Sequence, residues 1–391
     1  MPFAPFELER LMSEWEQRVD HNLSESGVHP LTLAELLHDP GAVDDLLAIS
    51  LNYPQVNGTL ELRERVAALY PGATPDHVLV TVGCAEANHI TLHTVTSPGD
   101  EVVVMLPNYL QIWGLAKNSG LSLRAFRLRE EAGWAPDPAE LAHAVTGDTR
   151  LIAVCNPNNP TGYTLTEAEM DLIVAAAERS GAWILADEVY AGAERLTDVQ
   201  TPSFWGRYDR VLALNSTSKA YGLPGLRLGW VVAPTDTIDA IWRRHEYATI
   251  SASALSNALA AYALSPDVRP RLIRRGRAYI RRGFPVLTAW LERHQGLLSL
   301  VPPQAAAIAF VRYHIDINST ILAHRLIRYE SVLVGPGDHF GLDGHLRVSF
   351  GLPPTTLKPG LDRISRHLDE LRQASAVCDR AVGSSGEATG Q

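Results

Sequence analysis

Lys219 is the residue around which chemistry can be organised in this sequence. It closes the run Asn215-Ser-Thr-Ser-Lys219, directly after an apolar stretch, and Tyr221-Gly-Leu-Pro-Gly-Leu-Arg227 follows it. A lone lysine is ordinarily a solvated surface residue. Hydroxyls before it, glycines after it and an arginine eight positions on form an unusual setting. The chemistry open to it is that of an amine, as nucleophile or base. A second polar cluster, Asp187-Glu-Val-Tyr190, follows Trp183-Ile-Leu-Ala186. An acid at the end of a buried strand is costly unless it meets a cation. A third, Asn156-Pro-Asn-Asn-Pro-Thr-Gly162, follows Leu151-Ile-Ala-Val-Cys155. Its Asn and Gly residues suit a tight turn, and Thr164 or Thr166 is placed to cap the helix beyond.

The elements that must position these clusters are legible as short apolar runs separated by amphipathic ones. Besides the three runs that precede the clusters, His77–Val82, Glu101–Leu106 and Leu228–Val232 have the composition of strands buried on both faces of a mainly parallel sheet. In such sheets ligands collect at the carboxyl ends of the strands. From about Leu272 an Arg-rich amphipathic helix, running to His294, leads to weaker strand signals at Ala307–Arg312 and His345–Phe350. The expected division is an N-terminal segment, 1–47, joining a small domain; a large domain, 48–271; a small C-terminal α+β domain, 272–373; and a disordered Ser/Gly-rich tail, 374–391.

With 391 residues the chain can form one large and one smaller core. A net charge of -10 argues against a nucleic-acid or anionic-membrane partner, while leaving room for an anion held by backbone N–H groups. Three scattered cysteines support neither a disulfide framework nor a metal site. No signal peptide and no run approaching the roughly 20 apolar residues of a membrane span are seen. The cytoplasm is the expected compartment.

Taken together, the motifs resemble the fold-type I enzymes that depend on pyridoxal 5'-phosphate (PLP), the class I/II aminotransferase family. The resemblance runs from about Ser50 to Gly351, is most specific over Ser216–Arg227, and keeps the family's spacing of Asn159, Asp187, Tyr190, Lys219 and Arg227. It implies an α/β fold in which the large domain holds a mainly parallel seven-stranded sheet. It implies that Lys219 forms an aldimine with PLP and then serves as base at the substrate α-carbon, through a quinonoid intermediate. Asp187 would face the pyridine nitrogen, and Asn159 and Tyr190 the ring hydroxyl. Ser216, Ser218 and Arg227 would hold the phosphate, with the backbone N–H groups of Cys84 and Ala85 where a helix opens after Gly83. Tyr109 would stack on the ring, and Arg347 would grip the α-carboxylate. Tyr53 matches a tyrosine that reaches the neighbouring subunit's phosphate, implying a homodimer with shared active sites.

In Asn22-Leu-Ser-Glu-Ser-Gly-Val-His29, Gly27 and His29 lie where the family has a mobile substrate-binding segment. Ser26-Gly-Val-His29 resembles the capreomycidine synthase branch, whereas Tyr190 keeps the family's ordinary Asp-x-x-Tyr arrangement. The implied activity is transfer of an α-amino group between an amino acid and a 2-oxo acid. The alternatives are a specialised PLP-dependent lyase, decarboxylating oxidase or cyclase of biosynthesis, and a non-catalytic PLP-binding regulator. Trp113, Trp134, Trp205 and Tyr247 are candidates to line a roomy pocket, or else simply to pack.

Overall fold

Apolar runs too short for a helix, flanked by turn residues, become the inner strands of one large sheet. The computed structural model describes residues 3–386, with side chains as far as 373, so the tail expected over 374–391 lies outside the residues described in full. The strands of the large sheet are β1 Val78–Thr81, β2 Glu101–Leu106, β3 Ser122–Arg129, β4 Ala135–Pro136, β5 Thr149–Cys155, β6 Trp183–Asp187, β7 Val211–Ser216 and β8 Gly229–Val232. Their spatial order is β1-β8-β7-β6-β5-β2-β3-β4. Neighbours from β7 through β3 are parallel, and β8 and β4 run against theirs. The sheet thus has eight strands where seven were expected; the two-residue β4, paired with Leu128 and Arg129, is the short edge piece. The sequence reading also passed over β3. Its arginines fall on both faces, Arg124 with the buried Phe126 and Leu128, Arg127 and Arg129 with Leu123 and Ala125, which hides the period of a strand near the sheet edge.

Register brings the polar clusters together. Cys155 lies opposite Asp187, and Asp187 opposite Leu214, so β5, β6 and β7 end level. On the other side Ser216 pairs with Gly229, which pairs in turn with Thr81. The turn after β1 therefore stands beside the end of β7.

Among the helices, α1 spans Glu7–Trp15, α2 Gly83–Val95, α3 Glu167–Ser180, α4 Arg269–Glu292 and α5 Pro354–Gly386. Thr166, one of the two expected caps, accepts from Glu169 N–H while the Glu169 carboxylate accepts from the Thr166 backbone N–H. In α4 the buried positions Leu272, Ile273, Gly276, Ile280, Gly283 and Leu287 recur at helical spacing, leaving most arginines on the outer face. A second, antiparallel sheet holds β9 Leu298–Ser299, β10 Ile308–Tyr313, β11 Gly335–Pro336 and β12 His345–Ser349, in the order β9-β10-β12-β11.

The N-terminal segment ties this sheet to the large one. His21–Asn22 pairs in parallel with Val332–Leu333, Ser349 N–H donates to Leu23 C=O, and His29 N–H donates to Gly351 C=O. Between them, Val28 N–H donates to Lys219 C=O. Among the described residues, no helix is long and apolar enough to cross a membrane.

Candidate active site

A cavity of about 350 Å³ opens at the carboxyl ends of β5, β6 and β7, between the two sheets and under α1. Lys219, Asp187, Tyr190, Asn159, Tyr109, Cys84, Ala85, Ser216, Ser218, Arg227 and Arg347 all line it. Residues from Cys84 to Arg347 thus share one site, because three strands of the large sheet end at one level and the small sheet brings Arg347 to face them.

The floor is electrostatically tense. Burial pushes the Lys219 amine below the usual lysine range; the Glu25 carboxylate pulls the other way, and Arg347 reinforces the drop. Burial pushes the Asp187 carboxyl up, against the Val189 N–H at 3.2 Å and the Asn88 amide at 3.5 Å, which favour its ionised form. Asp187 has no cationic hydrogen-bond partner among the described residues, so the partly buried acid is left looking into the cavity. The Tyr190 hydroxyl is raised far above its ordinary value, chiefly by burial, and stays protonated.

One corner is shaped for an anion. Gly83 has φ +74°, and a Cβ there would stand 2.6 Å from the Arg227 guanidinium. Gly229 carries the same constraint from behind, since its Cβ would meet Cys84 N at 2.7 Å. The start of α2 is thereby pressed between β8 and Arg227, with Ser216 and Ser218 alongside. Helix N-termini present free N–H groups and a positive dipole end. Arg227 forms no ion pair among the described residues and donates only to Pro224 C=O, at 3.0 Å. The Cys84 thiol in this turn is pushed well up by burial and then by the Asp187 carboxylate, which removes it as a nucleophile near neutral pH.

Arg347 stands at the opposite wall. It is 1% exposed, its guanidinium lies 4.8 Å from the Phe340 ring centroid, and no carboxylate pairs with it. One Nη donates to Asn159 Oδ1 at 3.0 Å and the other to Ser24 C=O, while Nε has no partner. A buried guanidinium with its Nε–H unpaired has the chemistry of a carboxylate receptor.

Of the expected site residues, His29 and Tyr53 lie elsewhere, and Gly27 meets the site only through packing. His29 does not line the cavity: its backbone N–H is committed to Gly351, and its ring sits 5.5 Å from the Tyr279 ring. Gly27 does reach the site, but as packing; a Cβ there would stand 3.6 Å from Lys219 Cα and 3.3 Å from Ser218 O. Tyr53 is 87% exposed on the surface and borders a different depression, with Pro54 and Ser251. None of the four candidate pocket aromatics lines the cavity: Trp113 and Trp205 pack against the cores, Tyr247 is exposed, and Trp134 borders a separate cavity of about 450 Å³.

The structure also adds lining residues that the sequence did not single out, notably Asn88, Gln111, Glu9, Glu16 and Glu25. Asn88 follows Cys84 by one helical turn, a spacing that could have marked it. The glutamates belong to α1 and the strap after it, where nothing in the sequence distinguishes lining from solvated acid.

Residues 49–364 match the family described as aminotransferase class I and II, and the chain belongs to it. It is a PLP-dependent enzyme of the transferase class. Capreomycidine synthase from Streptomyces vinaceus is 34% identical over 381 residues, covering 94% of each chain. A PLP-dependent aminotransferase from Streptococcus suis superposes with a TM-score of 0.88 at 30% identity, covering 95% of this chain and 99% of that one. The PLP-dependent cyclase OrfR superposes with a TM-score of 0.84 at 29% identity, covering 94% of this chain and 97% of that one. The residues fit this cofactor: the cavity offers an amine of lowered basicity, a partly buried carboxylate with no ion-pair partner among the described residues, and an anion corner that a side chain at Gly83 would fill.

Proposed function

We propose that this chain is an aminotransferase that moves the α-amino group of an amino acid to a 2-oxo acid, with Lys219 attached to PLP and later moving the proton at the substrate α-carbon. The observation that carries this reading is the meeting of Lys219, Asp187 and the half-used Arg347 fork in one cavity. When bound, PLP supplies an electron sink that makes the α-C–H bond acidic. Asp187 holds the ring nitrogen in its protonated form, and the ring supplies the cation that this carboxylate lacks. Tyr190, kept protonated by burial, donates to the ring oxygen. Asn159 gives its Oδ1 to Arg347, which leaves its amide N–H groups for the same oxygen.

Arg347 orients the substrate through its carboxylate and so fixes which α-carbon bond faces the ring. The lowered basicity of Lys219 keeps more of its amine unprotonated near neutral pH, as a general base requires. Ser216, Ser218, Arg227 and the start of α2 hold the phosphate, and Tyr109 covers the ring. The exposed Tyr53 reaches the cavity of a second copy, so the active unit is a homodimer.

A second reading, a lyase or cyclase that turns over without a 2-oxo acid, is supported by the likeness to capreomycidine synthase along 94% of both chains. The test is a spectral screen of the purified holoenzyme with a panel of amino acids. Loss of the cofactor's visible band on adding an amino acid, restored by a 2-oxo acid, supports transamination. Turnover without an oxo acid, with ammonia, CO2, peroxide or a cyclised product released, replaces it with the second reading. No spectral response to any amino acid overturns both.

A further inference from the structure

We propose that the mouth of the Lys219 cavity is a cation subsite formed by Glu16 and Glu25 with Glu9, and that the substrate is an α-amino acid whose side chain ends in a guanidinium or ammonium group. The inference rests on the reading of the cavity as an amino-acid site and adds the side chain that the site selects.

The geometry comes from two elements. Glu9, Met12 and Glu16 follow one another at spacings of three and four along α1 and its C-cap, so they share one face, and all three line the cavity. Glu25 and Ser26 enter from the strap that follows. That strap is anchored to the carboxylate receptor itself, because Ser24 C=O accepts from an Arg347 Nη. The two ends of a bound amino acid would therefore be read by residues of one short segment.

Charge matching identifies what is missing. Seven ionisable side chains of opposing kinds line the cavity: Lys219, Arg227 and Arg347 against Asp187, Glu9, Glu16 and Glu25. With the cofactor and substrate bound, Arg227 meets the phosphate, Arg347 the α-carboxylate and Asp187 the ring nitrogen. Glu9 accepts a hydrogen bond from the Tyr109 hydroxyl at 2.7 Å. Glu16 and Glu25 are left half-buried, and among the described residues neither carboxylate forms an ion pair or a hydrogen bond. Glu16 feels its surroundings: burial first, then the charges of Glu25 and Glu9, holds its carboxyl above the ordinary range. Half-buried like charges around a cavity are unfavourable until a cation enters.

A separate observation shows that this cavity is shaped for a ligand. The Arg347 Nε, on a side chain 1% exposed, has no partner, and the Asn88 Oδ1, on a side chain 2% exposed, has none either. Both residues border the same space as the glutamates. The carboxylate receptor fixes one end of the substrate and Lys219 the α-carbon, and the three acids line the same cavity, with Glu9 exposed to solvent. An acidic side chain there would add to uncompensated negative charge. A neutral one would leave it as it is. Only a cationic one removes it.

The test uses the wild-type holoenzyme and its Glu16→Gln and Glu25→Gln variants, titrated spectrally with L-arginine, L-citrulline, L-lysine, L-norleucine and L-glutamate. Arginine and citrulline differ little in shape and differ by one charge, so their ratio isolates the acids. The expected result is a dissociation constant for arginine about 10–100-fold below that for citrulline, weakening as salt is raised. Either glutamine substitution should bring that ratio to within about threefold. The wild-type ratio stands without the variants if they fail to fold. Equal binding of arginine and citrulline by the wild type, or tighter binding of glutamate, overturns the cation subsite but leaves the aminotransferase reading intact. An enzyme that responds to none of the five fails the broader reading first.

Discussion

The floor and the mouth of the cavity are made differently. The floor is the level end of three parallel strands, where Cys155, Asp187 and Leu214 are locked side by side by sheet register. The mouth is one helix of nine residues and a strap that crosses from the small sheet to Lys219 on single hydrogen bonds. Floor residues are held by a ladder, so their positions follow from the fold and suit chemistry common to a whole family. Mouth residues are held by a few contacts, and they can change without disturbing the sheet. Reaction type is therefore seated in the floor, and substrate choice in the mouth.

The largest expected effect breaks the floor. On the proposed roles Lys219→Ala would remove both the covalent attachment and the base, and turnover should fall by about 10⁴-fold or more for every amino acid tested. The cofactor's visible absorbance should disappear with it; an unchanged band would place the attachment elsewhere and undo the central assignment. Arg347→Leu lies where floor and mouth meet. It removes a buried charge-assisted carboxylate contact, and kcat/KM should drop by about 10²-fold or more, mostly through KM, with the cofactor band retained. A loss confined to kcat, with KM unmoved, would show that Arg347 supports the floor and not the substrate. Measured for cationic and neutral amino acids alike, the Arg347→Leu loss should be uniform, whereas the loss from Glu25→Gln should follow the substrate's charge.

The same division explains what could be read from sequence. Asp187, Lys219 and Asn159 stand out because a buried apolar run must hand them to a loop, and strand ends in a parallel sheet are where ligands gather. Only the register was missing, and the sheet supplies it. Strand β3 was not legible because it lies toward the edge, where arginines are tolerated. Glu9, Glu16 and Glu25 were illegible for a different reason. Acids on an amphipathic helix usually face water, and only the packing of α1 over the cavity distinguishes these from Glu14 or Glu7. His29 is the converse case: Gly27 approaches Lys219 and Val28 packs into the core, while the His29 ring lies beside Tyr279 and away from the cavity lining.

Cys84 gives the smallest effect and sharpens the comparison most narrowly, because it lies in the floor while contributing only backbone. A cysteine at a helix N-terminus commonly has a lowered pKa and a reactive thiolate. Here burial dominates and the Asp187 carboxylate adds to it, so the thiol is raised and stays protonated near pH 7. The sign is fixed by those causes: each disfavours negative charge on sulfur, and the reactive fraction grows only as pH climbs past the ordinary thiol range. Labelling of Cys84 by iodoacetamide, followed by peptide mass spectrometry, should be at least about 10-fold slower at pH 7 than for an unfolded control. Its rate should still be rising at pH 9. Cys84→Ser, which keeps the backbone N–H groups and the small volume, should lower kcat/KM by no more than about threefold. A labelling rate that levels off near pH 7 would show the helix end prevailing over burial, and would make Cys84 a reactive group of the floor.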